Sequence, residues 1–173
     1  MNKINLIATA FAAMGMCGAA SAADGTINFT GTIRDTACTV DTASANQTVN
    51  LGTVAATSFG SSGSTASSAR FTINLTGCPA AVTSASIHFD GPLASGNSNL
   101  LALSSGQTAT NVGVGIYQED SSTLIPIGQA SAPVTLSTTA TNALNFIAKY
   151  VSTASTVGAG SANAVASFTV AYN

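Results

Sequence analysis

Charge is what this sequence has least of. Charged residues occupy 6% of its 173 positions, and the formal net charge is −2. Beyond the first twenty residues the only lysines and arginines are Arg34, Arg70 and Lys149. Three dispersed cations cannot neutralise a phosphate backbone, which excludes nucleic-acid binding as a function class. The scarcity of charge is not disorder, because apolar residues make up 46% of the chain. Ser, Thr and Asn are left to hydrate the surface. The length suits one domain with a genuine core.

The residues from which catalytic sites are built are equally sparse. His88 is the only histidine, in the alternating run Ile87-His88-Phe89 with no nucleophile motif nearby, so it reads as a strand-surface side chain. Glu119-Asp120 lies between Tyr117-Gln118 and Ser121-Ser122 and reads as a hairpin turn. Adjacent carboxylates on a turn diverge, whereas glycosidase chemistry needs them placed across a cleft. Gly113-Val114-Gly115 has neither the third glycine nor the following helix of a dinucleotide loop, and is expected to be a closely packed strand. Lys149, between Ala148 and Tyr150, is expected to point to solvent. No metal-ligand cluster is present. The chain reads as a non-enzyme without metal or cofactor.

What the sequence does contain begins with a signal peptide over residues 1–22. Lys3 supplies the positive end, and residues 6–16 form an apolar run too short to span a bilayer as a helix. The pattern Ala20-Ser21-Ala22 places cleavage before Ala23, or one residue later. No second apolar stretch approaches ~20 residues, so no membrane anchor is expected. Cys17 belongs to the signal, and bulky Met16 before it argues against lipidation. Cys38 and Cys78 remain, an even pair in an exported chain, and imply one disulfide. The rivals, a metal pair or a catalytic thiol, lack any nearby His or further Cys. On the chain-entropy argument the bridge stabilises by roughly 4 kcal/mol.

Along the mature chain the apolar period is two, and helical periodicity is hard to find. From Ala23 to Ile33 the odd positions are Ala, Gly, Ile, Phe, Gly and Ile, and the even ones are Asp, Asn or Thr. Further strands are expected at 47–54, 69–77, 84–89, 100–103, 111–117, 124–127, 134–137, 143–152 and 164–172. Breakers rich in Gly, Ser, Asn and Pro separate them, notably 60–68, 91–99, 104–107, 128–133 and 153–163. Short strands at this spacing predict an antiparallel sandwich with one face of each strand buried. Ala166, Phe168, Val170 and Tyr172 share one face of the last strand, which ends one residue before the sequence does. An edge left uncovered invites pairing with another chain, while the patterning alone reads equally as an ordinary last strand.

These pieces occur in an order that resembles the major subunits of type 1-like fimbriae, the pilins of the chaperone–usher pathway. The resemblance runs from Gly25 to Asn173. It is carried by Gly25-Thr26-Ile27-Asn28-Phe29-Thr30-Gly31, Ala37-Cys38-Thr39-Val40-Asp41 and Val49-Asn50-Leu51-Gly52-Thr53-Val54. It continues through Phe71-Thr72-Ile73-Asn74-Leu75-Thr76-Gly77-Cys78 and Asn111-Val112-Gly113-Val114-Gly115-Ile116. The last pieces are Phe146-Ile147-Ala148-Lys149-Tyr150 and the tail from Ala166 to Asn173.

The resemblance implies an all-β fold: an incomplete immunoglobulin-like sandwich lacking its last strand. A groove along 164–172 would be filled first by a strand from a periplasmic chaperone. At the outer-membrane usher, the N-terminal extension of the next subunit would replace it, a case of β-strand addition. The implied domains are a signal peptide at 1–22, a donor-strand extension at 23–33 and a pilin domain at 34–173. Ala23, Gly25, Ile27, Phe29 and Gly31 would form the donor face. Gly160, fourteenth residue from the end, with Ala166, Phe168, Val170 and Tyr172, would form the groove and chaperone contact. Only Ala23 and Asp24 precede Gly25, so the pocket two positions before that glycine would receive a small side chain. The implied partners are neighbouring pilin subunits, the chaperone and the usher, and the implied destination is a fimbria on the cell surface. The alternatives are a minor or adaptor subunit that binds a ligand and a self-complete secreted β-sandwich.

Overall fold

A computed structural model describes residues 27–31, 33 and 37–173 of the chain. The signal peptide, Cys17, Ala23 and Gly25 lie outside the described residues. The chain divides into two compact units, Met1–Ile33 and Arg34–Asn173. In the first, the described residues form no strand, and Ile27 and Phe29 are 78% and 92% exposed.

The second unit is a sandwich of two antiparallel sheets. β1 (Thr39–Val40), β2 (Thr65–Thr76), β4 (Leu93–Ala94), β5 (Asn97–Leu101), β6 (Val112–Gln118), β7 (Leu124–Ile125) and β9 (Asn142–Ser152) form the larger sheet. Its order is β1-β2-β9-β6-β5-β4, with β7 also on β6. β3 (Ser84–Asp90), β8 (Val134–Thr135) and β10 (Ser167–Tyr172) form the smaller sheet, in the order β10-β3-β8. A four-residue helix, Thr42–Ala45, and a 3-10 turn, Ala56–Ser58, are the helical pieces among the described residues.

Alternation explains the core. Ile73 and Leu75 of β2, Ile87 and Phe89 of β3, Val114 and Ile116 of β6, and Leu144 and Phe146 of β9 turn inward from both sheets. Phe89 meets Phe146 edge-on at 5.1 Å and Phe71 at 6.0 Å, joining the sheets through aromatic contacts. The opposite face of the larger sheet holds a second cluster of Ala94, Leu100, Tyr117, Ile147 and Val151. Gly113 and Gly115 permit it, since a Cβ there would come within 3.0 Å of Leu101 O, Tyr117 Cε2 or Val151 Cγ2. The close-packing expectation for these glycines therefore holds. Cys38 and Cys78 are bonded, fastening β1 to the turn that follows β2.

Several boundaries differ from the sequence expectation. β2 begins at Thr65, within the stretch expected to be a loop over 60–68. A bulge between Ala66 and Ala69, with Ser67 at φ 65°, carries the strand through this run of small residues and hides its period. The breaker at 91–99 contains β4 and the start of β5, joined by a tight turn at Gly96 (φ 85°). β7 ends at Ile125 because Pro126 has no N–H for the ladder. Lys149 does not simply point to solvent. Its ammonium donates to the Ser121 carbonyl at 2.6 Å and lies 4.7 Å over the Tyr117 ring. The largest difference is at residues 47–54, expected to be a strand and observed without strand pairing. The alternation of the apolar side chains is present, but an extended segment becomes a strand only beside a hydrogen-bonding neighbour.

Candidate functional site

A trench of about 630 Å³ opens on the Arg34–Asn173 unit between the unpaired segment 47–52 and the stretch 162–168 that leads into β10. Its floor is the edge of the core, including Phe71, Ile73, Phe89, Ile116, Ala148 and Tyr150. The lining is predominantly apolar and has no ionisable group other than the Tyr150 phenol. Such a surface can hold apolar side chains.

One rim is made by Val49 and Leu51, half-buried against the core. It is fixed to β2 by side chains instead of a ladder. Gln47 donates through Nε2 to the Thr72 carbonyl at 3.2 Å, and the Ser67 hydroxyl donates to the Leu51 carbonyl. The bulge that hid the start of β2 is thus what supplies Ser67 to this rim.

The other rim continues into β10, whose two edges differ. Asn173 and Ser84 exchange backbone hydrogen bonds at 3.0 and 3.3 Å. In an antiparallel pair such exchanges recur at every second residue, so Ala171, Thr169 and Ser167 face β3. The N–H and C=O groups of Tyr172, Val170 and Phe168 then face the opposite edge. Among the described residues no backbone group pairs with them. Ile87 agrees with this parity: across from Val170, its backbone turns away to Ser131, at 2.8 and 2.9 Å. An open edge beside an apolar trench lacks a strand.

Of the expected groove residues, the structure brings Ala166 and Phe168 into the trench lining. Val170 and Tyr172 pack half-buried against the same core farther along β10. The Tyr172 hydroxyl donates to the Cys38 carbonyl at 3.3 Å, tying the end of the strand to the disulfide. Burial pushes the Tyr172 phenol above its ordinary pKa. Gly160 stands elsewhere, against the loop at 108–109, where a Cβ would collide with the Ala109 nitrogen and the Thr108 hydroxyl. Ile27, Phe29 and Gly31 belong to the Met1–Ile33 unit.

Sequence reasoning missed Tyr150, Phe71 and the Val49–Leu51 rim as site residues. Their signal was the inward parity of β9 and β2 and the alternating run at 47–54. That run reads as an ordinary strand, since nothing local announces a missing neighbour. The residues considered for catalysis are apart from the trench lining. His88 is half-buried on β3 opposite Thr169. Glu119 pairs with Arg70 at 2.7 Å on the exposed surface. Asp120 is in the expected turn, held down to about pKa 2 by hydrogen bonds from the Thr123 side chain and the Thr123 and Ser122 backbone. Among the described residues no group of three or more His, Cys, Asp or Glu could hold a metal ion, and no helix is long and apolar enough to cross a membrane.

Comparison with known proteins agrees with this architecture. The family described as fimbrial protein matches residues 27–173. A fimbrial-like protein of Escherichia coli K12 is 39% identical over 171 residues, covering 96% of this chain and 94% of the relative. The type-1 fimbrial protein A chain of Salmonella typhi is 40% identical over 171 residues, covering 92% of each. Among solved structures, the Burkholderia pseudomallei antigen and type I fimbria protein is 36% identical with a TM-score of 0.62, covering 86% of this chain and 97% of that one. The P pilus rod subunit PapA, at 21% identity and a TM-score of 0.64, shares the fold, covering 80% of this chain and 100% of that one. The chain belongs to the fimbrial protein family, as a non-enzymatic structural pilin subunit.

Proposed function

We propose that this chain polymerises by strand donation. Residues 23–33 of one copy enter the trench of the next, pair with the open edge of β10 and complete the smaller sheet. The observation that carries the reading is the open edge itself: backbone groups of Phe168, Val170 and Tyr172 without a backbone partner, beside an apolar trench. The donor segment has matching chemistry. Ile27 and Phe29 alternate with polar residues and are exposed, and each stabilises by roughly 1.5–3 kcal/mol when removed from water. Main-chain hydrogen bonds supply affinity in this mode of recognition, and alternate side chains supply specificity.

Before polymerisation the same trench takes a strand from a periplasmic chaperone, and the usher at the outer membrane is where the exchange occurs. The mature chain is exported through the periplasm after removal of residues 1–22, and the product is a surface fimbria that supports adhesion. Ala166, Phe168, Val170 and Tyr172 serve as the contact along β10. Gly160 acts indirectly, by seating the approach to β10 on the 108–109 loop. Gel electrophoresis of the mature chain tests the reading. Ladders that resist denaturant at room temperature and collapse on boiling are expected. A chain that runs only as a monomer, and is already stable, contradicts strand donation and favours a self-complete sandwich.

A further inference from the structure

Resting on the strand-donation reading, we propose that Tyr150 is the end stop of the trench and fixes the register in which an incoming strand is held. The pairings locate it. Tyr150 pairs with Ala66 across β2 and β9, one residue from Ser67, whose hydroxyl holds the Leu51 rim. At the other end of that rim, Gln47 is tied to Thr72, the partner of Asn145. The rim therefore runs from the level of Asn145 to the level of Tyr150. On β9 the lining residues are Ala148 and Tyr150, and the strand contributes nothing to the lining beyond Tyr150.

At this end the Tyr150 side chain reaches the opposite rim. Its hydroxyl donates to the Ala162 carbonyl at 3.0 Å. The neighbours of Ala162 are turned the other way. Ser161 N–H donates to Thr108 Oγ1 at 3.0 Å, and Asn163 N–H to Gln107 Oε1 at 2.9 Å. The carbonyls of Ser161 and Asn163 accept from Ala109 and Ser104 at 3.1 and 2.8 Å. Ala162 thus turns its carbonyl toward the trench and has it occupied by Tyr150. Farther along, Phe168, Val170 and Tyr172 leave theirs open. A strand sliding along the rim meets a row of open groups that ends at a tyrosine ring and a taken acceptor. Side-chain pattern alone would specify register weakly, because Gly25 and Gly31 give a slipped strand little to clash with. Burial raises the Tyr150 pKa, which keeps the phenol a donor.

The test uses the full mature chain with Ile27→Asp and Phe29→Asp, so that its own segment does not compete. The probe is a synthetic peptide of residues 23–33 with a photoreactive benzoyl-phenylalanine in place of Phe29. After irradiation, mass spectrometry maps where the probe attaches. With Tyr150 present, one attachment site is expected. Tyr150→Phe keeps the ring and frees the Ala162 carbonyl, and Tyr150→Ala removes the stop altogether. Both are expected to add a second site two residues away. The same single site in both variants overturns the inference, whatever happens to their melting temperatures, because a merely structural role lowers stability without moving the attachment. Failure of the Tyr150 chain to capture the peptide at all overturns the strand-donation reading beneath it.

Discussion

The interior of this sandwich has a sealed half and an open half, and both are built from the same kinds of residue. In the sealed half, Leu75, Ile87 and Leu144 are buried to within 1% of complete. In the open half, Val49, Leu51, Phe71 and Phe168 pack on that same core yet stay half-exposed. The two halves differ in whether a strand lies over them. A trench of this kind is an unfinished core and not a site assembled from special side chains. This is why the chain needs so little charge or reactive chemistry to act.

The largest effect expected from the comparison is on assembly. Replacing Ile27 and Phe29 by Asp removes the two large apolar side chains available to finish the core, and denaturant-resistant ladders should disappear. Each isolated variant should melt where the parent monomer does. Next is the disulfide. Cys38→Ser with Cys78→Ser should cost about 4 kcal/mol in urea unfolding, since the closed loop spans a sequence separation of 40. It should also loosen the end of β10 through the lost seat of Cys38 beneath Tyr172. Third, Leu144→Ala in the sealed half should cost about 2–5 kcal/mol in the monomer. Phe168→Ala in the open half should cost less than Leu144→Ala in the monomer and more in the polymer. Equal losses in the two forms would erase the distinction between the halves.

The fold was legible in the sequence wherever structure depends on a residue and its immediate partners. β3, β6 and β9 fell within one or two residues of expectation, because each alternates across a face covered by this same chain. The disulfide was legible from the pair of cysteines left once Cys17 is assigned to the signal peptide. The run at 47–54 departs for the converse reason: Val49 and Leu51 alternate correctly, but among the described residues no strand pairs with them. Tyr150 was passed over because its hydroxyl partner, Ala162, is fixed by tertiary contacts with residues 104–109 that no local pattern encodes. Ser67 was hidden in a bulge of small residues that resembled a loop.

Smaller effects follow from titration. Tyr117, Tyr150 and Tyr172 all have phenol pKa values raised by burial. A raised folded-state pKa contributes stability that is complete below the ordinary phenol value of 10.0 and is lost as pH rises through the folded value. Chemical unfolding at pH 9 and above pH 10 should therefore show a decline, reduced by Tyr150→Phe. Asp120 acts in the opposite sense: its folded pKa is lowered from 3.8 to about 2, so its contribution is present above 3.8 and fades as pH falls toward 2. It is fully exposed, and Asp120→Asn should loosen the 118–123 turn without altering assembly. The exposed Arg70–Glu119 pair should matter least, below about 1 kcal/mol and vanishing in high salt.

The central claim is that the trench is an unfilled strand position. Its most direct test is the melting temperature of the mature Ile27→Asp, Phe29→Asp chain with and without the peptide of residues 23–33. The account predicts a large rise, slow to reverse on dilution, which vanishes when the peptide carries the same two aspartates. An unchanged melting temperature at saturating peptide would mean that the sandwich is complete without a donor and that the open edge of β10 is only a surface.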